Sequence, residues 1–382
     1  MRIFEIHGNR VVEHPALAPL SVPGACAGFL WMSLTRDELR ASLAEVQGAL
    51  QSLCGTQLVD LHVADLLNDQ LPSRYDFTSQ YDVLVFRRLA ATSATPTTPK
   101  PRGTEPPPAR GSGPPVLRRI DTRPVGFTIF DRVLLSVHPE DGSVRDAFAA
   151  RLMNAAAPAV RGDRPPPVLD VRAVSARLPT GPADLMLRLV NLIVDAYLDL
   201  RRDLTRQLDH WQAELIDPHS RFTNWSALME ARQSLHHLDE ICEDQRAAVQ
   251  DWIDGQETLP SPEGGAESRE RELIMVRSRD VLEHIQRVVH HVRRLEQNAE
   301  TAVQLHFSVQ SHRTNDIMRI LTALTAVFLP LNLIAGIFGM NFEFIPLVHK
   351  ADGFWIAMAS MAGIALLLVL VFWRKRYLAR NR

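Results

Sequence analysis

The stretch TAVFLPLNLIAGIFGMNFEFIP, residues 325–346, decides the fold of this chain. It closes a segment without charged side chains, residues 320–341, and a second such segment covers residues 354–373. If residues 317–338 form the first helix, it is about 33 Å long and the second is about 30 Å long, which matches a hydrocarbon core of roughly 30 Å. The sequence therefore predicts two transmembrane spans joined by a short loop, residues 339–353.

Basic residues near the spans predict their orientation. Arginine and lysine are frequent in the tail, residues 374–382, whereas the loop between the spans contains only Lys350. By the positive-inside rule the tail lies in the cytoplasm and the loop lies outside. An even number of spans then places the N-terminal region in the cytoplasm as well. We expect a multi-pass protein of the inner (plasma) membrane with both termini cytoplasmic.

Missing motifs exclude several classes of function. The formal net charge of -2 says little about function when taken whole, and we expect no nucleic-acid partner. The sequence also has no phosphate-binding glycine loop, no nucleophile with a neighbouring base and no nucleotide motif. We therefore expect neither an enzyme nor a protein with a bound cofactor.

The region before the spans begins with an α+β pattern. Residues 1–180 alternate short β-like runs with helical patterns, which predicts a cytoplasmic domain with a mixed sheet and flanking helices. A proline-rich insertion at residues 91–116 interrupts this domain. Thr35 and Glu38 form a capping box, which predicts a helix over residues 36–53.

Helical patterns follow this domain without further strands. Residues 182–258 are typical of a long antiparallel helix pair, and residues 269–338 predict a stalk helix that continues into the first span. The stalk contains no proline or glycine before Pro330, which removes one backbone amide and allows a bend inside the membrane.

Apolar residues along the stalk recur at alternating steps of four and three, which is typical of a packed helix seam. The seam residues are Val281, Ile285, Val288, Val292, Leu295, Ala299 and Ala302. The seam needs a partner, either the preceding helix pair of the same chain or stalks of other subunits.

The first span carries one polar stripe. Thr322, Thr325 and Asn332 are separated by three and seven positions, so they share one helix face that extends back to Asn315 and forward to Gly336. Several copies around an axis would turn this stripe into the lining of a water-filled pore. Packing between spans is the alternative, since threonine and asparagine also form hydrogen bonds between membrane helices.

The end of the first span carries a resemblance to a known family. GMN at residues 339–341, followed by Phe342-Glu343 and a proline, a second span and a basic tail, closely resembles the CorA family of magnesium and cobalt transporters. Residues 314–346 follow that family nearly residue for residue, and residues 71–86 and 185–200 resemble it more weakly.

The resemblance implies a homopentamer in which the stalk helices form a cytoplasmic funnel and the first spans line a pore. Mg²⁺ would be the transported ion, together with Co²⁺ and Ni²⁺, and cytosolic Mg²⁺ would also be a regulatory ligand that gates influx. Neutral amide oxygens of Asn341 would bind the water shell of Mg²⁺, an ion that dehydrates reluctantly. The ion-selectivity mouth would consist of Gly339, Met340, Asn341 and Glu343.

The stripe and the pore positions of the family together give the expected lining of the pathway. Met318, Leu321 and Leu329 would form a hydrophobic constriction that closes by dewetting. The expected lining residues are Asn315, Met318, Leu321, Thr322, Thr325, Leu329, Asn332 and Gly336.

The resemblance also assigns a regulatory metal position. Asp280 on the stalk matches a residue that binds regulatory Mg²⁺ between subunits of the family. Its partner acid is not identifiable, because the corresponding region runs into the insertion after Leu89. A solvated or salt-bridged Asp280 is the alternative.

Two departures from the family pattern leave the preferred ion open. Many members have an acid after the loop proline, where this chain has Leu347 and adds Lys350. Both changes weaken the attraction of cations to the mouth. A Zn²⁺ transporter like the related ZntB branch is one alternative, and a membrane-anchored coiled-coil scaffold or sensor is another. The sequence does not decide between channel-like and proton-coupled transport.

Overall fold

The computed structural model describes residues 1–8, 10–15, 28–90, 120–156, 178–216, 225–260, 264–340 and 352–374. The predicted insertion, most of the loop between the spans, and the tail after Arg374 lie outside these ranges. The chain forms two compact units, Met1–Glu214 with Ser220–Ala299 and Leu215–His219 with Glu300–Arg382. Each unit is described by itself.

Seven strands in the described part of the first unit form one mixed sheet, in the order β2-β1-β3-β7-β6-β5-β4. Neighbouring strands are antiparallel except β3 and β7, which are parallel. This confirms the predicted mixed sheet. The strands are β1 (Arg2–His7), β2 (Arg10–His14), β3 (Gly28–Thr35), β4 (Arg74–Phe77), β5 (Asp82–Leu89), β6 (Thr122–Ile129) and β7 (Val133–His138).

Helices cover the sheet, and further helices follow it. They are α1 (Arg36–Ala41), α2 (Leu43–Cys54), α3 (Asp60–Leu67), α4 (Ser143–Ala156), α5 (Pro182–Ile216), α6 (Trp225–Thr258), α7 (Gly265–Phe338) and α8 (Gly353–Arg374). One sheet face, with Leu30 and Met32, shares a hydrophobic core with α1, α2 and α3. On the other face Trp31 stacks on Phe4, with 4.9 Å between ring centroids, and meets Phe148 of α4 edge-on at 5.9 Å. Both faces of the sheet are therefore buried.

The capping box at Thr35 is confirmed, but the predicted helix over residues 36–53 is divided in two. The backbone amide of Glu38 donates to Thr35 Oγ1 at 3.2 Å, and the Glu38 carboxylate accepts from the Thr35 amide at 2.8 Å. At Ser42 the helix breaks, and the Ser42 hydroxyl donates to the Glu38 carbonyl at 2.8 Å. Serine competes with the backbone for such bonds, which weakens a helix locally.

Helices α5 and α6 join the sheet at one strand. The hydroxyl of Tyr197 on α5 donates to the carbonyl oxygen of Arg87 on β5 at 3.1 Å, and the Gln245 amide on α6 donates to the same oxygen at 2.7 Å. A single carbonyl of the sheet thus accepts hydrogen bonds from both helices.

Helix α7 packs against α5 and α6 of its own chain within the first unit. Thr205 of α5 hydrogen-bonds to His291 at 2.8 Å, and Trp252 of α6 donates to Ser278 Oγ at 3.0 Å. The predicted seam is buried, with relative exposures of 0% for Ile285 and 4% for Leu295. From Val281 to Ala299 the partner of the seam is therefore the preceding helix pair.

The second unit contains the C-terminal part of α7, from Glu300, and all of α8. Both helices are long and apolar enough to cross a membrane. Their large apolar side chains are exposed, with relative exposures of 65% for Leu333 and 70% for Leu366. Such exposure suits contact with lipid and does not occur in the core helix of a soluble protein.

Candidate functional site

The predicted lining residues all lie on one continuous helix. Helix α7 runs through Asn315 and Gly336 without interruption at Pro330. Steps of seven, three and seven residues bring Asn315, Thr322, Thr325 and Asn332 to one face. Every predicted lining residue is exposed in the single chain, so the face is open to water, to lipid or to further copies. The single chain does not enclose a pathway.

The two threonines of the stripe have ordered hydroxyl groups. Thr322 Oγ1 donates to the carbonyl oxygen of Met318 at 2.7 Å, and Thr325 Oγ1 donates to that of Leu321 at 2.8 Å. Both bonds reach back one helical turn, a common way for threonine to satisfy its hydroxyl in a helix. The hydroxyl oxygens keep lone pairs for other partners.

Pro330 leaves one helix carbonyl without its usual donor. Proline has no N–H, so the carbonyl oxygen of Ala326, four residues earlier, receives no helical hydrogen bond from position 330. This carbonyl lies one residue after Thr325, in the part of the span that has no charged side chain.

The expected mouth is described only in part. Gly339 and Met340 end the helix, with the Gly339 amide donating to Ala335 O at 2.9 Å and the Met340 amide donating to Ile337 O at 3.3 Å. A Cβ atom at Gly339 would lie 3.1 Å from Ala335 O, which is tighter than ordinary contact. Glycine therefore fits this turn with the least strain. Asn341 and Glu343 lie outside the described residues.

The single chain does not assemble a metal site at Asp280. Its side chain is 60% exposed, and the nearest ion-pair partner is His284, with 3.8 Å between Asp280 Oδ1 and His284 Nε2. Within the described ranges, no group of three His, Cys, Asp or Glu side chains is placed to hold a metal ion. A regulatory site that uses Asp280 would thus need ligands beyond those described in this chain.

A buried charge cluster joins α5 to α7, and sequence reasoning missed it. Asp184 is 0% exposed and forms ion pairs with Arg277 of α7 and with Arg188, whose Nη2 lies at 3.2 Å. Its carboxylate also accepts from the Thr180 amide at 3.0 Å. Burial lowers the pKa of Arg277, and the Asp184 charge opposes this. Burial raises the pKa of the neighbouring Glu270, the Thr180 hydrogen bond opposes this, and Asp184 adds to the rise. In the sequence, Asp184 is an acidic residue in the first turn of α5, which indicates only that a helix starts there.

The arrangement defines a class of protein. An α+β domain passes through a long helix into a span with a polar stripe, and a second apolar helix follows. These features are those of a two-span membrane protein with a large domain outside the membrane.

The chain belongs to the CorA-like Mg²⁺ transporter protein family, whose profile matches residues 114–376. Members of this family are transporters and not enzymes, which confirms the expectation from the missing catalytic motifs. The family also confirms the resemblance found at the GMN stretch.

Individual relatives agree with this assignment. The chain is 26% identical over 200 residues to the cobalt/magnesium transport protein CorA of Thermotoga maritima, covering 51% of this chain and 52% of that protein. It is 39% identical over 71 residues to the CorA protein of Methanocaldococcus jannaschii, covering 19% and 22% of the two chains. The chain thus matches about half the length of the first relative and less of the second.

A solved structure shares the fold over nearly the whole chain. The complete structure of the CorA magnesium transporter from Methanocaldococcus jannaschii superposes with a TM-score of 0.66, at 18% sequence identity, covering 98% of each chain. At this identity the likeness shows the fold alone. It confirms the combination of a mixed sheet, a long helix and a C-terminal apolar helix.

Proposed function

We propose that five copies of this chain assemble around an axis and conduct divalent cations through a pathway lined by the stripe on α7. The observation that carries the proposal is the set of polar groups at Thr322, Thr325 and Asn332 within residues 320–341, a segment with no charged side chain. In an isolated chain these groups would face lipid, where polar groups are costly. Around a shared axis they would face water, and the resemblance to the family supplies the number five.

Mg²⁺ is the proposed substrate, with Co²⁺ and Ni²⁺ as further substrates. The relative from Thermotoga maritima is named a cobalt/magnesium transport protein, which supports this choice. Mg²⁺ keeps its water shell, so neutral oxygen atoms on the stripe can hold the hydrated ion without stripping it. The pathway would carry influx across the inner (plasma) membrane, with both termini in the cytoplasm.

A transport measurement with four ions tests this function. Full-length protein reconstituted in liposomes is given an inward gradient of Mg²⁺, Co²⁺, Ni²⁺ or Zn²⁺ at equal concentration, with an indicator dye inside. We expect uptake of the first three ions above that of protein-free liposomes, and slower uptake of Zn²⁺. No uptake of any ion would reject the transport function, and fastest uptake of Zn²⁺ would reject the proposed substrate.

Cytosolic Mg²⁺ is proposed to regulate the pathway through Asp280. A carboxylate that is 60% exposed on α7 is free to share a cation with a neighbouring copy. Binding between copies would hold the stalks together and close the pathway.

The variant Asp280→Ala is expected to lose part of the protection that millimolar Mg²⁺ gives against proteolysis. Removing one carboxylate weakens a shared Mg²⁺ site, so the protecting concentration should rise about tenfold. Digestion of purified protein across a Mg²⁺ series measures this shift. Glu283→Ala is the matched control, since Glu283 is 59% exposed on the same helix and pairs with Arg287. Equal shifts for the two variants would contradict a specific role for Asp280.

A further inference from the structure

We propose that Thr322 and Thr325 form a belt of fixed hydrogen-bond acceptors, which makes the pathway select cations over anions. This inference rests on the pore function proposed above. The inference depends on where the hydrogens of the two hydroxyl groups are directed. The presence of polar residues on the stripe is not sufficient for it.

Each threonine hydroxyl has a single hydrogen to donate, and in both residues that hydrogen is already used. Thr322 Oγ1 donates to Met318 O at 2.7 Å and Thr325 Oγ1 donates to Leu321 O at 2.8 Å. These distances are normal for O–H···O hydrogen bonds. What the hydroxyls offer to the pathway is therefore their remaining lone pairs.

The other polar side chains of the stripe have no fixed polarity. Asn315 and Asn332 each carry an acceptor oxygen and an NH₂ donor, and rotation of the amide presents either one. Met318, Leu329 and Gly336 have no N–H or O–H in the side chain. Within the described part of the stripe, fixed polarity is thus confined to the two threonines.

Fixed acceptors distinguish the two signs of charge. A hydrated Mg²⁺ ion keeps its waters and turns their hydrogens outward, so threonine oxygens can accept from its shell. An anion is stabilised by hydrogen-bond donors. The threonines can donate to it only by breaking the bonds to Met318 and Leu321. The belt therefore favours cations at a depth where the chain has no charged side chain.

A matched hydroxyl exists away from the stripe. Ser360 on α8 donates to the carbonyl oxygen of Ala357 at 2.8 Å, which is the same kind of local bond. Loss of this hydroxyl changes helix polarity in the membrane without changing the stripe, so Ser360→Ala is a control for general effects on the spans.

The test measures flux and charge selectivity together. Full-length protein in liposomes and planar bilayers is assayed for Mg²⁺ uptake and for the reversal potential in a MgCl₂ gradient. The double variant Thr322→Asn with Thr325→Asn replaces fixed acceptors by rotatable amides of the kind already on the stripe. We expect it to conduct Mg²⁺ while its chloride permeability relative to Mg²⁺ rises about tenfold. Ser360→Ala, which lies off the stripe, should match the unsubstituted protein. The double variant with serine can form the same local bonds, so its charge selectivity, whatever its flux, should stay that of the threonine protein.

The outcomes separate failure of the belt from failure of the pore. If the asparagine double variant, or the single variant Thr325→Asn where the double does not fold, conducts with unchanged selectivity, the belt is overturned. Asn332→Leu reports on the pore itself, since it removes a polar side chain from the stripe. Reduced Mg²⁺ flux in Asn332→Leu with unchanged selectivity in the asparagine variants overturns the belt alone. Unchanged flux and selectivity in all stripe variants overturn the belt and the pore lining together.

Discussion

Replacement of Asp184 by alanine is expected to destabilise the first unit by about 3–5 kcal/mol. The carboxylate is 0% exposed, pairs with Arg277 and Arg188, and accepts a hydrogen bond from the Thr180 amide at 3.0 Å. Without it, two partly buried guanidinium groups lose their counter-charge where water compensates poorly. Because Arg277 lies on α7, the loss also loosens the start of the long helix. Chemical denaturation of the purified protein in detergent, followed by tryptophan fluorescence, measures the effect.

An exposed aspartate on the same helix provides the control. Asp199 pairs with Arg202 at 2.9 Å, but its side chain is 77% exposed. Surface pairs of this kind contribute about 0–1 kcal/mol, so Asp199→Ala should change stability little. If Asp184→Ala and Asp199→Ala unfold at the same denaturant concentration, the buried ion pair does not hold α5 to α7.

Features with a local periodic signal could be predicted from the sequence. The seam from Val281 to Ala299 repeats at helical spacing, and its burial followed from that repeat. The start of α1 could be predicted because both partners of the capping box, Thr35 and Glu38, lie within four residues. The break at Ser42 could not, since a single serine is compatible with either a continuous or a broken helix.

Features that depend on distant pairing could not be predicted. The parallel pair of β3 and β7 brings together Leu30 and Val133, which are far apart in the sequence. The sequence of neither strand indicates which strand it pairs with. The ion pair of Asp184 with Arg277 likewise joins two helices with a third between them in sequence. Charged residues are common on both helices, so composition does not single out these two.

The candidate site was predictable to a different extent in each part. The stripe could be predicted from helical spacing alone. This spacing applies along the whole stripe because α7 is a single helix from Gly265 to Phe338. The direction of the threonine hydroxyls followed only from the structure, since each can rotate to several positions. The role of Asn341 stays a prediction from the sequence and the family resemblance.

Substitution of Asn341 by alanine is expected to reduce Mg²⁺ uptake by about a hundredfold. A ring of amide oxygens would hold the waters of the incoming ion, and hydrogen bonds to charged groups contribute about 1.5–3 kcal/mol each. A net loss of about 3 kcal/mol of stabilisation of the ion at the mouth corresponds to a roughly hundredfold lower rate. The measurement is initial Mg²⁺ uptake into liposomes that contain equal amounts of each protein.

Asn298→Ala is the matched control for this variant, because Asn298 is an exposed asparagine of α7 that lies in the first unit, before the predicted span. The substitution removes the same kind of side chain at a position away from the mouth, so uptake should stay at the unsubstituted level. Size-exclusion profiles establish that both variants keep the oligomeric size of the unsubstituted protein. Full Mg²⁺ uptake by a correctly assembled Asn341→Ala protein would contradict a mouth built on this amide. Selection would then have to occur deeper in the span, where the fixed acceptors of Thr322 and Thr325 lie.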